Sequence, residues 1–282
     1  MFDWENLRHF AALAREASLS AAARRLGVDH ATVARRIAAL EAALGLRLVD
    51  RRPRSYALTA DGARIAALAA RMETEAFAVD RAARAATSGL AGEVAVSAPP
   101  LVASALIAPR LGELRTRHPE IRLRLIGEKR SASLSRREAD LALRLSRPVE
   151  QSLVARRIGT IRFALYGAPD YLARRDAADY EFIGYDENLE QVPQQQWLRA
   201  VASGRAIVLR SDDIAAHQAA ARAGVGLAAL PRFLGDSDGS LATVEVKGKA
   251  VAREVWLAVH RDLRAAPAVR AVMDFLAGCV SR

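Results

Sequence analysis

Apolar residues recur at helical intervals from the first residues of the chain. Leu7, Phe10, Ala11, Leu13 and Ala14 share one face and predict a helix from Trp4 to about Ala17. Ser18-Leu19-Ser20 interrupts the pattern, and Ser20 is placed to cap a second helix through Leu26. Gly27 stops that helix, Asp29 caps a third from His30 to about Leu44, and Gly45 closes it. Two helices joined by so short a glycine turn form a helix-turn-helix. Small Ala23 allows close approach of the two helices, and Val33 packs the second one back. Val33, Ile37, Leu40 and Leu44 form the inward stripe of the third helix, so Thr32, Arg35, Arg36 and Ala39 face outward.

A recognition helix reads base edges with the residues near its N-terminus. That nominates Ser20, His30, Ala31, Thr32, Arg35 and Arg36 as DNA-facing. Thr32 offers a hydroxyl or its methyl, and an arginine grips guanine in a bidentate pair or holds phosphate. The same arginines also fit an ordinary solvated basic face. Leu46, Leu48 and Val49, then Tyr56 and Leu58, predict two short strands around a basic loop, Arg51-Arg52-Pro53-Arg54-Ser55. This is a wing. Arg54 at its tip suits a narrow minor groove, and Arg51 and Arg52 suit phosphates.

Thr59 caps a long helix, Ala60 to Ser88, with no proline. Its residues Ile65, Leu68, Met72, Ala76, Val79, Ala83 and Ala86 are spaced like a coiled-coil seam and predict self-association.

The stretch from Trp4 to Gly62, with SLSAAARRLGV, RRIAALEAALGLRL and RRPRSYALTADG, closely resembles the DNA-binding domain of LysR-type transcriptional regulators. The resemblance places the family's base-reading positions on His30, Ala31, Thr32 and Arg35, with Arg54 as the wing residue. The chain departs from the family where Asp29-His30-Ala31 replaces the usual Ser-Gln-Pro and where Ala34 replaces a frequent Ser. His30 substitutes an imidazole for a bidentate adenine reader, which implies a different operator sequence.

Beyond Gly89-Leu90-Ala91-Gly92 the pattern changes to strands alternating with helices. Strands are predicted at 93–97, 121–127, 140–145, 153–158, 163–167, 207–210, 226–230 and 255–260. Helices are predicted from Leu101 to His118, restarting at Pro109, from Ser211 to Ala223, and from Pro267 to Cys279. The expected architecture is α/β with a largely parallel sheet. The family resemblance continues through EVAVSAPP, RHPEIRLRL, READLALRLSRP, FALYGAPDYL and AGVGLAALPRFL. It implies a two-lobed, periplasmic-binding-protein-like effector domain.

The expected organisation is therefore three-part. Residues 1–58 form an all-α winged helix-turn-helix and 59–88 a linker and dimerisation helix. Residues 92–282 form the effector domain, with lobe I at 92–161 and 266–282 and lobe II at 162–265. Open α/β sheets hold ligands beyond the carboxyl ends of their strands. Four loops supply candidates there: Ser97, Ala98, Pro99 and Pro100; Glu128 to Ser131 with Lys129; Arg144 to Pro148; and Ser211, Asp212 and Asp213. Arg144 can clamp a carboxylate or lie idle on the surface, and the two aspartates equally fit a capping role. The effector expected is a small molecule, an organic anion.

Composition narrows the class further. The 282 residues are 51% hydrophobic and 26% charged, enough for sizeable cores, but only 5% aromatic, so those cores are aliphatic. A single cysteine, Cys279, excludes an internal disulfide and any zinc site built on several cysteines. No apolar run is long enough to span a bilayer, and the first residues lack a secretory pattern, so a cytoplasmic location is expected. The net charge of +10 suggests nucleic acid, yet the excess is +4 over residues 1–88 and +9 over 110–175, so it does not locate the DNA-binding segment. Gly224 to Ala229 fits GxGxxA, but a helix precedes and a strand follows, the reverse of a dinucleotide site. No HExxH, GxSxG or Walker pattern occurs.

The expectation is thus a sequence-specific DNA-binding regulator, a homodimer or homotetramer, with no catalytic residues, cofactor or metal. Three rivals make different demands. An α/β enzyme would turn over a substrate. An architectural DNA binder would show steep salt dependence without operator preference. A solute-binding module without regulation would leave the helix-turn-helix unexplained.

Overall fold

The three N-terminal helices are each started by a side chain that answers an otherwise open backbone N–H. In the computed structural model α1 is Trp4–Glu16, capped by Asp3. Helix α2 is Leu19–Leu26, capped by Ser18, and α3 is His30–Leu44, capped by Asp29. Ser18, not Ser20, is therefore the cap of the second helix; Ser20 lies exposed inside its first turn. Both Gly27 (φ 69°) and Gly45 (φ 66°) end their helices in the left-handed conformation that glycine adopts without a Cβ penalty. The structure describes residues 1–52, 55–86, 89–128, 134, 138–246 and 248–280, with the backbone course alone at 51, 52, 55, 80, 81 and 84–86.

After α3 come β1, Val49–Arg52, and β2, Ser55–Leu58, an antiparallel hairpin in which Arg52 pairs with Ser55. Arg51 and Arg52 are strand residues, not loop residues, because the ladder pairs them with Tyr56 and Ser55. Leu46 and Leu48 precede the strand. Helix α4, Ala60–Ala86, begins on Thr59, whose hydroxyl accepts from the Gly62 amide at 2.9 Å. Phe10, Leu13, Ala22, Val33, Ile37, Leu40 and Leu48 form the core of this first unit, Met1–Ala83.

The second unit, Arg84–Arg282, is built on one nine-stranded sheet. Its elements open with β3, Gly92–Ala98, and α5, Pro100–Val102. The chain passes through a π turn, Ala103–Ile107, and a 3₁₀ turn, Ala108–Arg110, into α6, Leu111–Arg117. The change of helix type falls where Pro109 has no amide hydrogen to donate. Then follow β4, Ile121–Gly127, β5, Leu141–Arg144, and β6, Leu153–Gly167. Next are α7, Pro169–Ala173, β7, Phe182–Gly184, α8, Pro193–Ala202, and β8, Ile207–Arg210. The unit ends with α9, Ile214–Arg222, β9, Leu227–Pro231, α10, Arg232–Gly235, β10, Ala242–Val244, β11, Ala252–His260, and α11, Pro267–Val280.

The strand order is β4-β3-β5-β11-β6-β9-β7-β8, with β10 also on β6. Parallel pairs lie toward both ends, β4-β3-β5 and β9-β7-β8. The middle is antiparallel, because β11 and β6 run against each other and against their neighbours. The sheet is therefore mixed rather than largely parallel. The two strands expected at 153–158 and 163–167 are one continuous strand, since Gly159 and Thr160 keep pairing with Val255 and Glu254. Strands β6 and β11 carry the chain from one half of the sheet to the other. Each half has its own apolar clusters: Val96, Leu143 and Leu257 belong to the first, Leu165, Phe182 and Leu227 to the second.

Candidate DNA interface and ligand cleft

Recognition depends on rigidity, and α3 is anchored at both ends. Asp29 accepts the Thr32 amide at 2.6 Å and the Thr32 hydroxyl at 2.9 Å. These bonds hold the Asp29 carboxyl below its ordinary range. At the other end Glu41 Oε1 accepts the amides of Leu48 at 2.8 Å and Val49 at 3.1 Å, tying the helix to the wing. His30, Ala31 and Arg35 are exposed, and Thr32 is half-buried by its bonds to Asp29.

Arg36 has a different position. Its guanidinium reaches Asn6 at 3.2 Å and Asp3 at 3.3 Å, bridging α3 to the start of α1. The outward arginine pair of the sequence pattern is thus divided, with Arg35 open to solvent and Arg36 engaged within the fold. Ser20 is exposed on α2. Arg51 and Arg52 lie on β1, and Arg54 lies outside the described residues.

Along α4 the seam residues Leu68, Met72 and Val79 are 50%, 43% and 72% exposed. Leu68 and Met72, with Phe2, Trp4 and Leu44, line an apolar groove of about 650 Å³ to which Arg71 and Glu75 also contribute. Arg15 pairs with Glu73 and locks α4 onto α1. Contiguous exposed apolar surface of this kind marks a candidate interaction face.

In the second unit a cavity of about 320 Å³ opens between the two halves of the sheet. Of the nine residues nominated from sequence, Pro99, Pro100, Arg144, Asp212 and Asp213 line it. Ser97 and Ala98 do not, being wholly buried in β3; Ser97 instead accepts from Arg144 at 3.4 Å. Ser211 is turned into the loop, where it accepts the Asp213 amide at 3.1 Å. Lys129 lies outside the described residues. Asp213 caps α9 by accepting from Ala215 at 3.0 Å, so the capping role left open by the sequence is the one its carboxylate performs.

The cleft also holds residues that the sequence pattern did not nominate: Tyr185, Gln194, Arg253, Phe163, Leu143 and Phe233. Arg253 donates to Gln194 Oε1 at 2.7 Å and to the Leu145 carbonyl at 2.9 Å. Burial holds both Arg144 and Arg253 below the ordinary guanidinium value; neighbouring Glu150 and Glu128 counter that for Arg144, and only the Tyr185 side chain does so for Arg253. Burial also raises the Tyr185 phenol. Behind it the buried His217 ring stands edge-on at 4.7 Å, held by the Ser211 carbonyl at 3.0 Å, and burial keeps it below the ordinary imidazole value. Arg253 could have been found from its strand: in AREVWLAVH it shares the alternating face of Val255 and Leu257, where a charge is out of pattern.

Among the described residues no cluster of side chains fits a metal ion, and no helix is long and apolar enough to cross a membrane. Glycine 224 follows α9 and precedes β9, so the GxGxxA pattern has the wrong context for a dinucleotide.

Comparison with known proteins agrees over both units. Residues 4–63 match the family model "Bacterial regulatory helix-turn-helix protein, lysR family" and residues 87–279 match "LysR substrate binding domain". The Mau operon transcriptional activator of Paracoccus denitrificans is 29% identical, covering 98% of this chain and 95% of that protein. The structure of CrgA, a LysR-type regulator from Neisseria meningitidis, is 26% identical with a TM-score of 0.58, covering 99% of both chains. The virulence activator AphB of Vibrio cholerae shares the fold, with a TM-score of 0.64 at 22% identity over 98% of this chain and 99% of that one. These relatives are transcriptional regulators rather than enzymes.

Proposed function

The chain belongs to the LysR family of bacterial transcriptional regulators, and from that premise we propose how its residues do the work. It is a regulator in which the helix-turn-helix binds operator DNA and the second unit binds a small-molecule effector. Exposed Arg35 makes the sequence-reading contact, with His30, Ala31 and Thr32 beside it and Ser20, Arg51, Arg52 and Arg54 on the flanking phosphates and minor groove. Because the Thr32 hydroxyl donates to Asp29, Thr32 meets a base through its methyl or as a hydrogen-bond acceptor. Arg36 contributes mainly by holding α3 against α1.

Residues 59–88 pair two copies, covering Leu68, Met72 and Val79, and so give the two recognition helices that a two-fold operator requires. Residues 92–282 fold as lobe I at 92–161 and 266–282 and lobe II at 162–265. The effector, a small organic anion, lies in the cleft between them, against Pro99, Pro100, Arg144, Asp212 and Asp213. Its binding shifts the population of lobe arrangements and with it the spacing of the DNA-binding pairs. The protein works in the cytoplasm, where its operator is, and needs no cofactor.

One observation carries this reading: α3 is capped, anchored at both ends and leaves Arg35 open on its outer face. Footprinting on the DNA upstream of the protein's own gene tests it. A discrete protected segment with two similar half-sites is expected. Uniform protection that disappears with salt would mean backbone binding only.

A further inference from the structure

The cleft contains two guanidiniums, and they stand in different electrostatic surroundings. Arg144 has acidic neighbours in Glu150 and Glu128 and a hydrogen bond with Ser97. Arg253 forms no ion pair among the described residues, and its two protein bonds go to neutral oxygens, on Gln194 and Leu145. A guanidinium has five N–H donors in a planar fork, so three of those on Arg253 lack a protein acceptor among the described residues. A charge drawn out of water without a counter-ion is costly. Half-buried Arg253 therefore has donors to offer an incoming anion, in a cavity that Glu128, Asp212 and Asp213 also line.

Arg253 also occupies a particular position in the fold. It lies on β11 opposite Ile161 of β6, on the two strands that run between the halves of the sheet. Its Gln194 partner is on α8, in the second half, and its Leu145 partner follows β5, in the first. One side chain thus touches both walls of the cleft and its floor. The rest of the lining is mostly apolar, including Pro99, Leu143, Phe163 and Phe233.

We propose that Arg253 is the counter-ion for the carboxylate of an otherwise apolar, metabolite-sized acid, and that through Gln194 and the Leu145 carbonyl it couples that ligand to both lobes. The proposal rests on the reading of the cleft as the effector site. It replaces Arg144, the arginine that the sequence pattern singles out, as the group that imposes the need for an acid. The apolar walls select the body of the ligand and the guanidinium its head, a division common in small-molecule sites.

The test uses the full-length protein and matched probes: benzoate, phenylacetate, hexanoate and octanoate, each beside its neutral amide, at millimolar concentration. Thermal denaturation and calorimetric titration read binding. At least one acid is expected to raise the midpoint while its amide does not. Arg253→Gln, which keeps a neutral polar side chain, should weaken that acid by about tenfold or more; Arg253→Lys should weaken it less, and Arg144→Gln, although it also lines the cleft, should weaken it less than Arg253→Gln does. Ser146→Trp, at the exposed lip of the cleft, should block binding of that acid.

Acids that bind equally well to Arg253→Gln but are blocked by Ser146→Trp would overturn the proposal and leave the cleft reading standing. Binding insensitive to both changes would remove the ligand from the cleft, and the functional reading with it. Amides that match their acids, or no response to any acid, would overturn the proposal.

Discussion

Thr32 is bonded twice to Asp29, its amide to one carboxylate oxygen at 2.6 Å and its hydroxyl to the other at 2.9 Å. The first turn of the recognition helix is therefore closed by a carboxylate rather than by a hydroxyl, and that gives it a pH dependence. The folded-state value of Asp29 is lowered, first by the Thr32 amide bond. Its contribution is therefore full above the ordinary carboxylate range and is lost as pH falls through the lowered folded value. Wild type should exceed Asp29→Ala in thermal midpoint by a few degrees at neutral pH. The gap should close below about pH 4. Asp29→Asn, which caps without titrating, should keep its advantage over alanine at acid pH. Thermal scans of the three proteins across pH check this, and a gap independent of pH would show that the cap does not depend on the charge.

Arg35 and Arg36 are neighbours in sequence with different surroundings, so their alanine variants should differ in kind. Arg35→Ala should leave the thermal midpoint unchanged and reduce affinity for the preferred operator, by about 1–3 kcal/mol if the contact is a bidentate base pair. Equal losses on operator and random DNA would instead assign Arg35 to phosphate. Arg36→Ala removes the bonds to Asn6 and Asp3. Its cost should appear in stability, at under about 1 kcal/mol because the pair is partly exposed and screened. Fluorescence anisotropy with paired denaturation curves separates the two effects.

Gly62 lies in the first turn of α4 against the residue before β1, and a Cβ there would fall 2.0 Å from the carbonyl oxygen of Leu48. Since that neighbour is backbone, the helix start has to move. Gly62→Ala is expected to destabilise the first unit by about 1–3 kcal/mol, read as a lower urea midpoint. A neutral result would mean that the contact between Gly62 and Leu48 is looser than this geometry.

The exposed seam of α4 leads to an association test. A charge at Met72 should disfavour pairing without disturbing the core of its own unit, because the side chain is not buried there. Met72→Glu is expected to sediment as a monomer at concentrations where wild type is a dimer, with unchanged far-ultraviolet circular dichroism. A dimer unaffected by the substitution would place the pairing surface elsewhere.

Much of the N-terminal unit was legible from the chain because its signals are local. Asp29, Gly27, Gly45 and Thr59 act within one helical turn of their own positions, and they set the ends of α2, α3 and α4 as the pattern indicated. Ser20 was the wrong serine for the cap because Ser18, two residues earlier, satisfies the same rule and the apolar pattern does not separate them. The bonds of Arg36 to Asp3 and Asn6 are not legible in its own helix, because those partners lie at the start of α1. In the second unit the parallel ends of the sheet followed from alternating strands and helices. The continuous strand β6 did not, because Gly159 and Thr160 look like a break until β11 is beside them. The cleft residues divide in the same way. Pro99, Arg144 and Asp213 sit at strand or helix ends that the pattern marks, whereas Tyr185, Gln194 and Arg253 meet only after the two halves of the sheet are assembled.

The most direct test is capture of fragmented genomic DNA by the purified full-length protein at moderate salt, followed by sequencing, in parallel with Arg35→Ala. Wild type should enrich a small set of fragments sharing a two-fold site, and the variant should lose that enrichment while remaining folded and dimeric. Recovery of fragments in proportion to their abundance by wild type, or the same enriched set from the variant, would contradict the assignment of α3 as the element that reads sequence.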